Sequence, residues 1–198
     1  ARASDDALAR MDTRTLDNLA EDLARSGRDS LLDDLLARFR KGNEGIAAAD
    51  ETVGRIQVSL GRHEEAVESL SRLPVRGMSN EARAALMTAL WRTGRREKAM
   101  SVALSGFDEE PRRTAATPGK PWSRVVLAFL LSEGASGEAL RVLDRTLERT
   151  EEAAADLRLL RARLRVRSGK PGDAEDARAE FLDLLPRLDS ASDEAFRF

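Results

Sequence analysis

His63 is the only imidazole in a chain of 198 residues that contains no Cys and no Tyr. General bases, nucleophiles and transition-metal ligands come from a small set of side chains, and here that set is nearly empty. Without Cys there can be no disulfide, thiolate zinc site or cysteine nucleophile. Without a second His, a metal site would have to rest on carboxylates alone. The paired acids Asp5-Asp6 and Asp33-Asp34 and the run Asp108-Glu109-Glu110 lack the Gly-containing spacing of a calcium loop. No phosphate-cradling Gly loop and no nucleophile elbow occurs. These residues predict a protein that is not an enzyme and has no cofactor and no metal.

The chemistry that remains is that of arginine. Arg numbers 29 against 4 Lys, a bias that reads as a GC-rich, bacterial coding sequence. Basic and acidic groups nearly cancel, 33 against 35, which argues against a wholly basic nucleic-acid binder. The distribution is uneven: residues 76–125 carry 10 basic and 5 acidic groups, and Arg158, Arg161, Arg163, Arg165, Arg167 and Lys170 crowd a second stretch. A guanidinium fork grips a carboxylate bidentately, so such clusters suit an acidic partner. Cations near a helix C-terminus also have a purely local use against the helix dipole.

The elements that must position these residues are helices. Apolar residues recur at helical spacing in Leu16, Leu19, Leu23, in Leu140, Leu143, Leu147 and in Leu157, Leu160, Leu164. No period-2 alternation runs long enough for a strand, and aromatic residues make up only 4%. Asp29, Ser79, Ser136 and Asp173 stand where N-caps are expected. The longest apolar run, 125–131, is far short of the roughly 20 residues that cross a bilayer. The absence of an initial Met and of an apolar leader suggests a processed or excised piece. The fold class expected is all-α.

The punctuation is periodic. Gly27, Gly61, Gly94, Gly134 and Gly169 follow one another at intervals of 34, 33, 40 and 35 residues, which predicts helical hairpins stacked as an α-solenoid. Five positions after each Gly stand Leu32, Ala66, Ala99, Ala139 and Ala174, and a small residue there lets the second helix lie close to the first. Eight before it stand Leu19, Val53, Leu86, Val126 and Arg161. Other α-solenoids and irregular helical bundles share these features.

The stretch 59–74, SLGRHEEAVESLSRLP, with Val53-Gly54 before it, resembles the second-helix signature of the tetratricopeptide repeat family. WRTGRREKAMSVAL and SEGASGEALRVLDRTL match more loosely, and Leu32, Arg161, Arg165 and Arg178 depart from the pattern at the ends. The resemblance implies a right-handed superhelix of about five hairpins over 14–186. These lie near 14–41, 44–74, 79–106, 121–150 and 151–186, with an insert loop at 107–121, an N-terminal extension or short helix at 1–13 and a tail at 187–198. It implies a packed, structural role for His63, and ligand contacts from the first helix of each hairpin.

On that frame the residues six and two before each Gly face the concave side: Glu21 and Arg25, Arg55 and Ser59, Thr88 and Arg92, Ala128 and Ser132, Arg163 and Arg167. Trp91 and Arg124 flank them. The partner-binding set expected is Arg55, Thr88, Trp91, Arg92, Arg124, Arg163 and Arg167, with Asp17, Glu21 and Glu51 as an acidic counterpart. The expected function is a scaffold or adaptor that holds an acidic peptide or helix. The alternative is a regulatory or accessory module of a larger protein or assembly. Single-stranded nucleic acid is the weaker candidate because aromatic stacking residues are scarce. Phe181, Leu184 and Leu185 near the end suggest self-association there or continuation into a further segment, since a solenoid normally ends in a polar cap. A bacterial cytoplasmic or periplasmic protein fits this composition.

Overall fold

The structure, a computed structural model, describes residues 10–109, 122–149 and 155–188. These form ten helices and no strand: α1 Thr13–Arg25, α2 Asp29–Gly42, α3 Ala47–Ser59, α4 His63–Leu70, α5 Asn80–Arg92, α6 Arg96–Glu109, α7 Trp122–Ser132, α8 Ser136–Arg149, α9 Ala155–Ser168 and α10 Asp173–Leu188. The architecture is the all-α hairpin array expected of an α-solenoid. It divides into two compact units, 1–106 and 107–198. α6 continues to Glu109, so Phe107 is helical and buried where an insert loop was expected to begin. The remainder of that loop, the extension up to residue 9 and the tail beyond 188 lie outside the described residues.

One turn chemistry closes most hairpins. At the end of α3, Gly61 has φ +75°, a left-handed conformation that a Cβ would strain. That twist lets Gly61 N–H donate to Val58 O at 3.0 Å and Arg62 N–H donate to Gln57 O at 2.8 Å. Two orphan carbonyls of the helix end are thereby satisfied, the Schellman arrangement. The same pair of bonds recurs after α1, α5 and α7. Of the expected N-caps only Ser79 takes that role, accepting from Ala82 N–H at 3.1 Å. Asp12 caps α1 through Thr15, while Asp29, Ser136 and Asp173 sit one residue inside their helices.

In the first unit, α1 packs on α3 and α3 on α5, with α2 and α4 behind them. Leu16, Ala20, Leu32, Leu36, Phe39, Val53 and Ile56 form one contiguous core cluster. Leu19, expected in that core, is 37% exposed, because α1 is anchored through Leu16 and Ala20. Ala66, Ala99 and Ala139 are fully buried five residues after their glycines. The fifth hairpin breaks the rule: Ala174 is exposed and Ala177 is fully buried. Pro171 and a second left-handed glycine, Gly172 (φ +86°), lengthen that turn, and Ala177 stands five after Gly172. The register is counted from the glycine nearest the second helix.

Gly54 needs its missing side chain for a different reason. A Cβ there would collide with the Leu70 side chain of α4, so glycine at mid-helix sets how closely α3 and α4 approach. Gly54→Ala should therefore destabilise despite alanine's better helix propensity, and Ala66→Leu should overpack the same hairpin at about 1–3 kcal/mol. Chemical denaturation followed by circular dichroism checks both, and a midpoint equal to wild type for Ala66→Leu would show the contact to be loose.

Candidate functional site

The ten residues expected on the first-helix face share one property in the structure: none is buried. Their surroundings differ sharply between the two units.

In the first unit most are already engaged. Arg25 pairs with Glu21 and with Asp22, both at 2.9 Å. Glu51, expected to counter the arginines, instead accepts from Ser79 N–H at 3.0 Å and from Ser79 Oγ at 2.6 Å, fastening α3 to the start of α5. Trp91 is only 6% exposed, and the Arg96 guanidinium lies 5.0 Å from its ring centre, so the indole is packed. Arg55 and Thr88 are half-buried and Arg92 is exposed. Asp17, half-buried near Arg55, has its carboxyl pushed up mainly by desolvation, which the Arg55 charge opposes and Glu21 reinforces. His63 is half-buried with Nδ1 enclosed and bonded to no described residue. A polar network also ties three helices: Arg40 Nη2 donates to Ser69 Oγ at 2.6 Å, Ser69 Oγ donates to Gln57 Oε1 at 2.7 Å, and Arg40 Nε stands 2.8 Å from Asp50.

The turn arginines reach backwards. Arg62, next to Gly61, pairs with Asp29 at 2.9 Å and with Asp33 on α2, and Arg95, next to Gly94, pairs with Glu64 on α4 at 2.9 Å. Each links one hairpin to the hairpin before it. The Asp33 and Asp29 hydrogen bonds raise the Arg62 guanidinium still further above the physiological range.

The second unit separates its arginines by face. Arg158, Arg161 and Arg165 follow at i, i+3 and i+7 along α9, and all three meet acids. Glu180 of α10, 6% exposed, is the common partner. Arg161 Nε donates to both its oxygens, at 3.1 and 3.0 Å, and Arg158 Nε donates at 3.3 Å. Arg158 also holds Asp183 at 2.6 Å, and Arg161 holds Asp144 of α8 at 3.1 Å. The departures from an apolar pattern at Arg161 and Arg165 thus build a polar core between three helices.

Asp156, Leu160, Arg163 and Arg167 form the opposite stripe of α9, about 160° away at 100° per residue. Between this stripe and α7 opens a cavity of about 360 Å³ lined by Arg124, Leu127, Ala128, Leu131, Asp156, Leu157, Leu159, Leu160 and Arg163. Arg124 donates to Asp156 Oδ2 at 3.1 Å across it. Arg163 and Arg167 are exposed, with no ion pair among the described residues. Of the expected partner-binding residues, Arg124 and Arg163 therefore share one groove, and Arg167 lies one turn beyond. Arg55, Thr88, Trp91 and Arg92 belong to the other unit. The leucines of the groove, and Glu180, were not among the expected site residues.

Among the described residues no group of three or more His, Asp or Glu could hold a metal ion, and no helix is long and apolar enough to cross a membrane. Val166 and Leu182 of the last hairpin are 56% and 57% exposed. Compared with models of known protein families, residues 2–103 match the bacterial transcriptional activator domain (BTAD). No curated protein and no solved structure shows a significant match to the chain.

Two stability predictions follow from these ionic sites. Removing the Glu180 carboxylate leaves three guanidinium groups without their shared acid, so Glu180→Leu should cost about 3 kcal/mol, while Arg161→Leu/Glu180→Leu should recover most of that loss. Urea denaturation of the two variants checks this, and equal midpoints would mean that the charges are not coupled. Because Asp17 is raised above its ordinary value, its ionised form penalises the folded state at neutral pH, and the penalty vanishes as pH falls below the unfolded value. Asp17→Asn should melt above wild type at pH 7 and lose that advantage by about pH 3, as read by thermal melts across that range.

Proposed function

This chain belongs to the bacterial transcriptional activator domain family, matched over residues 2–103, and from that premise we propose that it is a non-catalytic interaction module of a bacterial transcriptional regulator. Its hairpins work as tetratricopeptide-like repeats, and its first-helix face holds an acidic peptide or helix of a partner protein. The observation that carries the reading is the groove between α7 and α9, apolar within and edged by Arg124 and Arg163. The regulatory role comes from the family, and the choice of a protein partner over nucleic acid comes from the leucine lining, which offers no aromatic platform for bases.

Exposed guanidinium groups attract an acidic partner over about 10 Å at 0.1 M salt. Acidic peptides should therefore bind the full chain with an association rate that falls as salt rises. Arg163→Glu/Arg167→Glu should weaken that binding and leave helicity intact, whereas Arg141→Glu/Arg178→Glu on the second helices should change it little. Fluorescence anisotropy against acidic peptides and against single-stranded RNA reads both comparisons. Equal loss from the two pairs would remove the first-helix face from the reading, and tighter binding to RNA would replace the protein partner with nucleic acid.

A further inference from the structure

Within the α7–α9 groove the charges and the apolar surface are sorted along its length. Near the start of α9, Arg124 and Asp156 neutralise each other at 3.1 Å. The middle is leucine, from Leu127 and Leu131 on one side and Leu157 and Leu160 on the other. At the far end Arg163 presents a guanidinium that meets no acid among the described residues, and Arg167 adds a second charge one turn on. This contrasts with the other face of the same helix, where Arg158, Arg161 and Arg165 all have carboxylates within reach.

A guanidinium cannot shed its charge at physiological pH. Placed at the end of an apolar groove, it disfavours an occupant that is apolar throughout and one that brings a second cation. It favours an occupant with apolar side chains over the leucines and a carboxylate beyond them. The cavity, about 360 Å³, lies at the small end of the roughly 300–1,000 Å³ range of ligand sites, which suits a pair of side chains. Two apolar residues at i and i+4 of a helix, followed by an acid about one turn later, match the spacing from Leu157 to Arg163.

Resting on the proposed function, we infer that this groove reads an ordered apolar-to-acidic segment of the partner: an amphipathic helix whose two apolar side chains lie between α7 and α9 and whose following carboxylate is received by Arg163. Arg163 is then the residue that determines specificity, and the Arg124–Asp156 pair presents a neutral end that gives the segment its direction.

The test uses the full chain and a labelled 16-residue helical peptide with Leu at i and i+4 and Glu at i+7. Variants of the peptide carry Ser for both Leu, or Lys for Glu. Wild type should bind the parent peptide and lose about tenfold or more with either variant. Arg163→Glu should lose the parent peptide to the same degree and recover affinity for the Lys peptide. Ala128→Phe, at an exposed alanine inside the groove, should block the parent peptide without loss of helicity. Arg163→Glu binding the parent as wild type does, or failing to gain from the Lys peptide, would overturn the assignment. So would acidic peptides that bind in a salt-dependent way but ignore Ala128→Phe, an outcome that leaves the interaction module standing at another surface. Self-association abolished by Ala128→Phe would give the groove to a second copy and overturn it as well. If wild type binds no acidic peptide at all, it is the proposed function that fails.

Discussion

The second unit depends on the burial of one carboxylate, Glu180, among the arginines of α9. A buried charge is expensive unless it is paired and fully hydrogen-bonded, and Glu180 meets that condition with donors from Arg158 and Arg161 and with Arg165 nearby. A leucine core would tolerate some rotation of α9 about its axis, since dispersion contacts are non-directional. Hydrogen bonds from two guanidinium groups do not. The pairs 158–183, 161–180 and 165–176 step forward along α9 as they step back along α10, so they define both the antiparallel register and the rotation. With one face of α9 committed to this clamp, its opposite face is committed to the groove. The placement of Leu157, Leu160 and Arg163 is thus a consequence of Glu180.

The first unit reaches the same hairpin geometry by other means. Its core is apolar, and its close approaches come from absent or small side chains, Gly54 against Leu70 and Ala66 at the hairpin contact. Its ion pairs sit mostly at the margins: Arg62 and Arg95 reach the acids of the preceding second helix from the turn itself. Exposed pairs of this kind contribute about 0–1 kcal/mol each, too little to hold the unit together. Their value is positional, because each is made only when neighbouring hairpins are in register. Glu51, which satisfies both polar groups of Ser79, does the same for α3 and α5.

Much of this was legible in the residues. Spaced glycines marked the Schellman turns, because a left-handed residue is needed wherever a first helix ends and the chain reverses within a few residues. The alanines at plus five marked the helix contact, and the rule failed at Ala174 only because Pro171-Gly172 moves the start of α10. Side-chain roles were less legible. The arginines of α9 read as one cluster, since a linear sequence does not show which of them has an acid opposite. Glu180 was hidden among the acids of an amphipathic helix, although three arginines at core spacing called for a carboxylate on a facing helix. Trp91 read as a groove residue by position, but the indole needs more apolar cover than a solvent-facing site offers and is packed beside Arg96.

The division of α9 into two faces has a consequence for how recognition and stability relate. Here Arg158, Arg161 and Arg165 all lie against the buried Glu180, where salt screens weakly, whereas Arg163 and Arg167 stand in solvent, where screening at physiological ionic strength acts within about 8 Å. The folding clamp and the proposed binding edge therefore respond differently to ionic strength although they use the same side chain on the same helix. On the proposed function, a rise in salt would loosen an acidic partner from Arg163 while the Glu180 clamp still held α9 in place. The groove would empty without losing its shape.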